Sequence, residues 1–229
     1  MPSNNQNRLN IFVDETGEPA ILNSPSDLYG VSFVIHRQTT DVGQEIRRLN
    51  ERYSHQNFDK TFHMSDIIHG NKDYVDMDIP ERRKIFTTLY RFAMRIDVKY
   101  HSIMIEKKNV NNLEDLAQII KCKISNFILE NLSYFQEFDE IVIYYDGGQS
   151  MLDTIIDETF GIFPGYRKDS NFSQKEKKLF QVADMLTTID RILYKKKNKM
   201  AFSSNERYFF SREDIKVIKK DIARHRILP

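Results

Sequence analysis

Three aspartates occupy positions where carboxylates can do chemistry. Asp14 closes the apolar run Ile11-Phe12-Val13 and precedes Glu15-Thr16-Gly17. Asp146 closes the run Ile141-Val142-Ile143-Tyr144-Tyr145 and precedes Gly147-Gly148. Asp184 sits between Ala183 and Met185 in a stretch that also carries Leu179, Phe180, Val182 and Leu186. A carboxylate on an apolar helix face is costly to bury unless it is paired or binds a cation. Two or three carboxylates are the oxygen donors that a hard cation such as Mg2+ takes. Two such ions, about 3.5–4 Å apart, can activate a water and stabilise the leaving oxygen of a phosphodiester. Asp14, on the strand expected to be central, is the natural bridging ligand, with Asp146 and Asp184 each completing a shell. Each aspartate also has a plainer reading. Asp before Gly at a strand end is ordinary turn chemistry, and Asp184 can pair with Arg191 or a lysine. It is the combination, two strand ends and one inward helix face, that points to a metal centre.

Other residues are candidates for supporting roles. Glu15 points away from Asp14 in a regular strand, but the turn can return it to the site as ligand or base. His63 and Asp66 lie close in sequence, and histidine is the side chain suited to moving protons near neutral pH; His63 can equally be the partner of a backbone carbonyl. Gln181 is one helical turn before Asp184 and faces the same way, so it can orient a carboxylate, as can Thr188 one turn after. Lys168 and Ser170 border the last strand and are candidate phosphate contacts. The run Lys195-Lys196-Lys197-Asn198-Lys199 is followed by Tyr208, Phe209 and Phe210. Cations among aromatics can track a nucleic-acid strand. The commoner explanation is a helix end favourable to lysine and a packed aromatic cluster. Cys122, beside Ile120 and Ile124, is expected to be a packing residue. There is no Gly-x-Ser-x-Gly elbow, Walker loop or dinucleotide glycine motif, and one cysteine excludes zinc-finger spacing.

These residues need strands and helices to position them. Residues 10–14 and 28–36 read as strands forming an antiparallel hairpin. Residues 41–53 have helical spacing. Residues 56–80 are irregular and read as a helical, lid-like insertion. Asp78 with Pro80 opens a helix whose stripe is Ile85, Phe86, Leu89, Phe92, Ala93 and Ile96. Residues 98–105 read as a strand, and Asn112 with Asp115 as the capping box of a long helix. Residues 140–145 form a short apolar strand suited to a sheet centre. Ser150 with Asp153 opens another helix, residues 162–168 a last strand, residues 176–194 a helix, and Ser211 with Asp214 caps the final one. A hairpin followed by alternating units predicts one mixed sheet with helices on both faces, in a single domain spanning 1–229 with a C-terminal helical extension at 200–229.

Composition bounds the partners. The chain has 229 residues, 40% hydrophobic and 29% charged, with a formal net charge of +1, which suits one soluble α/β domain. Charge is uneven: from Arg191 onward there are 12 Lys and Arg against 4 Asp and Glu, a basic end compatible with phosphate contacts or with a solvated face. A single cysteine, a polar N-terminus and the lack of a run of about 20 apolar residues lead to the expectation of a cytoplasmic protein without a membrane span.

Four segments carry a resemblance: Phe12-Val13-Asp14-Glu15-Thr16-Gly17, Phe62-His63-Met64-Ser65-Asp66-Ile67, Ile143-Tyr144-Tyr145-Asp146 and Gln181-Val182-Ala183-Asp184-Met185-Leu186. Together they resemble family 3800 of the domains of unknown function (DUF3800), in the ribonuclease-H-like superfamily. That family's pattern is Asp-Glu-Ser-Gly on the first strand, an acidic or His-containing motif after the hairpin, an Asp ending the fourth strand and Gln-x-Ala-Asp on a late helix. Thr16 replaces the usual Ser. The resemblance implies a ribonuclease-H-like five-stranded sheet and Asp14, Asp146 and Asp184 as ligands of Mg2+ or Mn2+ in a prokaryotic nuclease. It further implies, for some relatives, a part in phage defence. The expected function is therefore metal-dependent phosphodiester hydrolysis of RNA or DNA, with a protein partner or a second copy also open. The alternative is a non-catalytic nucleic-acid- or protein-binding module of the same fold. A phosphatase or nucleotide hydrolase would use the same metals.

Overall fold

The computed structural model describes residues 7–21 and 26–227, the Gln174 side chain excepted. The polar N-terminus and the last two residues of the expected C-terminal extension lie outside them. Five strands form one sheet: β1 (Arg8–Thr16), β2 (Leu28–Arg37), β3 (Lys99–Glu106), β4 (Glu140–Tyr144) and β5 (Tyr166–Asp169). Their order is β3-β2-β1-β4-β5. β1, β2 and β3 pair antiparallel, while β4 runs parallel to β1 and β5 parallel to β4. This is the mixed, ribonuclease-H-like α/β sheet expected, with β1 at its centre.

Alternation along β1 divides the core into two layers, because successive side chains point to opposite faces. Phe12 joins Val34, Tyr100, Val142 and Tyr144 on one face. There they meet α1 (Gly43–His55), α2 (Met64–His69), α3 (Ile79–Ala93), and the long α7 (Gln174–Lys197). Leu9, Ile11 and Val13 face the other way, with Phe33, Ile141 and Ile143, against α4 (Leu113–Glu130), α5 (Leu132–Phe135) and α6 (Ser150–Phe160). The chain finishes with α8 (Ser204–Phe209) and α9 (Arg212–Ile222), both packed on the α7 side. β2 is buried at nine of its ten positions: Gly30, Ser32 and Val34, the second half of its alternation, lie under α7 rather than in solvent.

Caps read from the sequence are present at α3 and α9, where Asp78 with Glu81 and Ser211 with Asp214 form reciprocal capping boxes. Others differ. At α4, Asn112 accepts from the Asp115 N–H, but the Asp115 carboxylate turns to Asn111 instead of returning to Asn112. α6 starts after Gln149 with no side-chain cap. The last strand begins at Tyr166, four residues later than 162, because Pro164 cannot donate to a ladder and Phe163 is used in the core. α8 is additional to the helices that the spacing predicts; Ser203 and Glu206 cap it.

Two corrections concern side chains. Cys122 is exposed, not packed: Ile120 and Ile124 are buried on one face, and a residue midway between i and i+4 points about 200° from both. Residues 56–80 are not a loosely attached lid. Phe58, Phe62, Met64, Ile67, Ile68 and Tyr74 are all buried in the core shared with α7. Among the described residues no helix is long and apolar enough to cross a membrane.

Candidate active site

Register decides the site. Phe12 and Tyr144 are the last paired residues of the parallel β1–β4 ladder, and their rings stack at 4.9 Å. Asp14 and Asp146 each come two residues later, so both lie just beyond the end of that ladder, Asp14 still paired to β2. α7 lies across β1 and β2 on this face and brings Asp184 and Thr187 over Asp14. Gly147, directly after Asp146, has a φ of 75°, a conformation open to glycine at little cost. It lets the chain turn away while the Asp146 Oδ1 accepts the Gly148 N–H at 3.1 Å.

Four carboxylates meet here, and three of them, Asp14, Glu15 and Asp184, are raised above their ordinary range. Burial, then the charges of Asp184, Glu15 and Asp146, push Asp14 well above the ordinary carboxylate range. The Thr187 hydroxyl opposes this from hydrogen-bonding reach of Asp14, although it also reaches the Ala183 carbonyl at 2.7 Å and can donate to only one acceptor at a time. Asp184 is raised to about 6 by burial. Its Oδ2 accepts the Met64 N–H at 2.9 Å, and the His63 Nδ1 stands 3.8 Å away; both lower it, while Asp66 and Asp146 raise it. Glu15 is raised to about 7, by burial and then by Asp146, against a hydrogen bond from Tyr145. One of its oxygens, Oε2, is buried with no hydrogen-bond partner among the described residues. Glu15 lies in regular strand, on the face opposite Asp14, yet its side chain curls to the same edge: a Cβ on Gly148 would stand 3.0 Å from Glu15 Oε1 and 3.3 Å from Asp146 Oδ1.

The remaining candidates fall into two groups. His63 is exposed beside Asp184. Asp66 is buried close by, with its carboxylate 3.0 Å from Lys72 Nζ. By contrast, Gln181 is in contact with Lys178 at 3.4 Å rather than with a carboxylate. Lys168 is held between Asp153 and Asp157, at 2.8 and 2.6 Å, so its charge is already matched. Ser170 is exposed just beyond β5. Arg191 pairs with Glu206, not with Asp184. Thr187, not Thr188, is the threonine at the site. Sequence spacing makes both neighbours of Asp184, and only the tilt of α7 on the sheet separates them. Tyr145 and Met64 lie within the motif segments, but nothing in the sequence singled out the Tyr145 hydroxyl or the Met64 N–H.

Among the described residues, no three His, Cys, Asp or Glu side chains form a ready-made metal-binding group. The donor set nonetheless fits a hard cation. It is all carboxylate oxygen, it is partly buried, and among the described residues no lysine or arginine forms an ion pair with Asp14, Glu15, Asp146 or Asp184. Burial first, and then like charges gathered without a counter-charge, raise the proton affinity of Asp14, Glu15 and Asp184.

No protein-family model matches this chain, and no curated protein matches it. A chain in the structure of the PCNA:RNase HII complex from Archaeoglobus fulgidus is similar over 96% of this chain and 91% of that one, at 15% identity and a TM-score of 0.42. A likeness of that degree has no bearing on activity. The fold is defined by the order and direction of its five strands.

Proposed function

We propose that this protein is a divalent-metal-dependent nuclease that hydrolyses phosphodiester bonds of RNA or DNA. The observation that carries the reading is the convergence of Asp14, Asp146 and Asp184 at one sheet end, with Glu15 beside them and, among the described residues, no lysine or arginine ion-paired to them. Asp14, Asp146 and Asp184 would hold Mg2+ or Mn2+, two ions being the number suited to this chemistry. Such ions supply a water activated at neutral pH and charge neutralisation at the leaving oxygen. The chain's own groups do the rest. The Met64 N–H fixes one oxygen of Asp184. Thr187 restrains Asp14. His63, exposed beside Asp184, is placed to pass a proton to solvent or to a leaving oxygen. Glu15 adds a fourth carboxylate, as ligand or base. The resemblance of four motifs to family 3800, some of whose members resemble phage-defence components, supports a place in prokaryotic defence.

Cleavage of end-labelled single-stranded and duplex RNA and DNA, in Mn2+ or in EDTA, tests this. The wild type is expected to cut at least one substrate in Mn2+ only, and Asp14→Asn to cut at least 100-fold more slowly. Cutting that survives in Asp14→Asn would refute the carboxylate mechanism. Binding without cutting on every substrate would favour the second reading, a non-catalytic nucleic-acid-binding module, for which the basic C-terminal region speaks.

A further inference from the structure

Beyond Asp184, toward the C-terminal end of α7, lies a cavity of about 660 Å³ between α7, α9 and the edge strand β3. Its floor is built on Asp190, which is 4% exposed. One Asp190 oxygen accepts from the Ser102 hydroxyl and the other from the Arg226 guanidinium at 2.5 Å. The same guanidinium lies 5.1 Å from the centre of the Tyr100 ring. Arg226 is thereby held by a carboxylate and an aromatic face, with about a third of its side chain still open to the cavity (34%). Lys196 and Lys197 of α7 and Lys219 of α9 line the rest. All three are exposed, and none forms an ion pair among the described residues, whereas Lys195 on the same helix is taken by Glu206 at 2.9 Å. Four cations thus line the cavity against one aspartate; Arg226 matches that aspartate, which leaves the three lysines as its unpaired charge among the described residues.

The cavity is aligned with the carboxylate edge. Asp14 pairs with Ser32 and Ser32 with Ser102, so Ser102 lies in the same cross-strand row as Asp14. Two strand spacings separate them, roughly 10 Å. Thr16, Gly30 and Met104 form the next row toward the catalytic end, and Met104 also lines the cavity. Along α7, Asp184 and Lys196 are about 18 Å apart at 1.5 Å per residue. Both separations lie within the reach of a few nucleotides of one strand.

We infer that this cavity is a subsite for the sugar-phosphate backbone of the nucleic acid whose scissile bond sits at Asp14 and Asp184. Lys196, Lys197 and Lys219 supply the charge, and Arg226 is the oriented donor. The inference rests on the nuclease reading for the identity of the ligand, but its test does not depend on cleavage.

The test is binding of a labelled 12-nucleotide single strand, as RNA and as DNA, by fluorescence anisotropy in EDTA from 50 to 300 mM KCl. The variants are Lys196→Gln/Lys197→Gln/Lys219→Gln and, with the same change in charge but two of its three positions on α4, Lys121→Gln/Lys123→Gln/Lys216→Gln. All six lysines are surface groups, so both proteins are expected to fold. The cavity variant should bind at least tenfold more weakly at 100 mM KCl. Its log–log salt slope should fall by about 2, since each single-strand phosphate contact contributes about 0.7. The control should match wild type. Equal losses in both variants, an unchanged cavity variant, or a wild type that binds neither strand would overturn the inference. If the wild type cuts while the cavity variant binds and cuts as well as it does, the subsite fails and the nuclease reading stands. If binding depends on the three lysines but no metal supports cutting, the reverse holds.

Discussion

Replacing Glu15 by glutamine is expected to make the metal-free protein more stable above neutral pH. In the folded protein Glu15 binds its proton more tightly than in the unfolded chain, at about 7 against 4.5, because it is buried and faces Asp146. Between these values the unfolded chain releases the proton first, so rising pH favours unfolding. The stability conferred by the protonated form is complete below pH 4.5 and lost as pH rises through 7. At about 1.4 kcal/mol for each tenfold in proton affinity, the loss is about 3 kcal/mol, an upper bound because relaxation and water reduce it. The amide of Glu15→Gln would keep the shape and an acceptor for Tyr145 but carry no charge. The wild type and Glu15→Gln should therefore coincide near pH 4 and diverge toward pH 8, with the variant ahead by about 2 kcal/mol. In a protein of this size that is roughly 4–8 °C in Tm. Thermal melts in EDTA at pH 4, 6 and 8 measure it. A variant equal to or less stable than wild type at pH 8, with parallel pH profiles, would show that Glu15 is not a repelled carboxylate and that the charge cluster is wrongly described.

The same cluster should respond to cations. At a Mn2+ concentration 100 times its Kd, wild-type stability should rise by about 2.7 kcal/mol, and Asp14→Asn should lose most of that gain; thermal melts that respond equally would place the ion elsewhere. At the structural pair behind the basic cavity, Asp190→Ala leaves Arg226 with no carboxylate. Since that guanidinium is partly exposed, the cost should be about 2 kcal/mol, below the 3–5 kcal/mol of a fully buried broken pair. Urea unfolding measures it, and a change under about 0.5 kcal/mol would mean that the pair is replaced by water.

Repulsion among the carboxylates and packing beneath them pull in opposite directions. Phe12, Tyr144, Val182, Ala183 and Leu186 are all within 5% of complete burial and form a rigid seat under charges that would otherwise move apart. The carboxylate edge is thus held together chiefly by the core beneath it, with the Met64 N–H on Asp184 as a polar tie.

Local pattern alone was enough to place the apolar strands that carry Asp14 and lead to Asp146, although the first runs on to Thr16, the long helix bearing Asp184, and the caps at Asp78 and Ser211, because hydrophobic period and capping depend on residues within one or two turns of one another. The tail of lysines was readable as residues but not as an environment. Three things waited for the tertiary structure. The parallel register that sets Asp14 beside Asp146 joins segments about 130 residues apart, and no local signal states it. The rotation of α7 on the sheet chose Thr187 over Thr188 and brought the Met64 N–H, from a segment that reads as a lid, onto Asp184. The partners of charge were decided last: Lys168 and Lys195 are neutralised by Asp153, Asp157 and Glu206, while Lys196, Lys197 and Lys219 remain available. A side chain's type is written in the chain, but what it faces is settled only when distant segments pack, since Coulomb and burial energies depend on distance in space and not on separation in sequence.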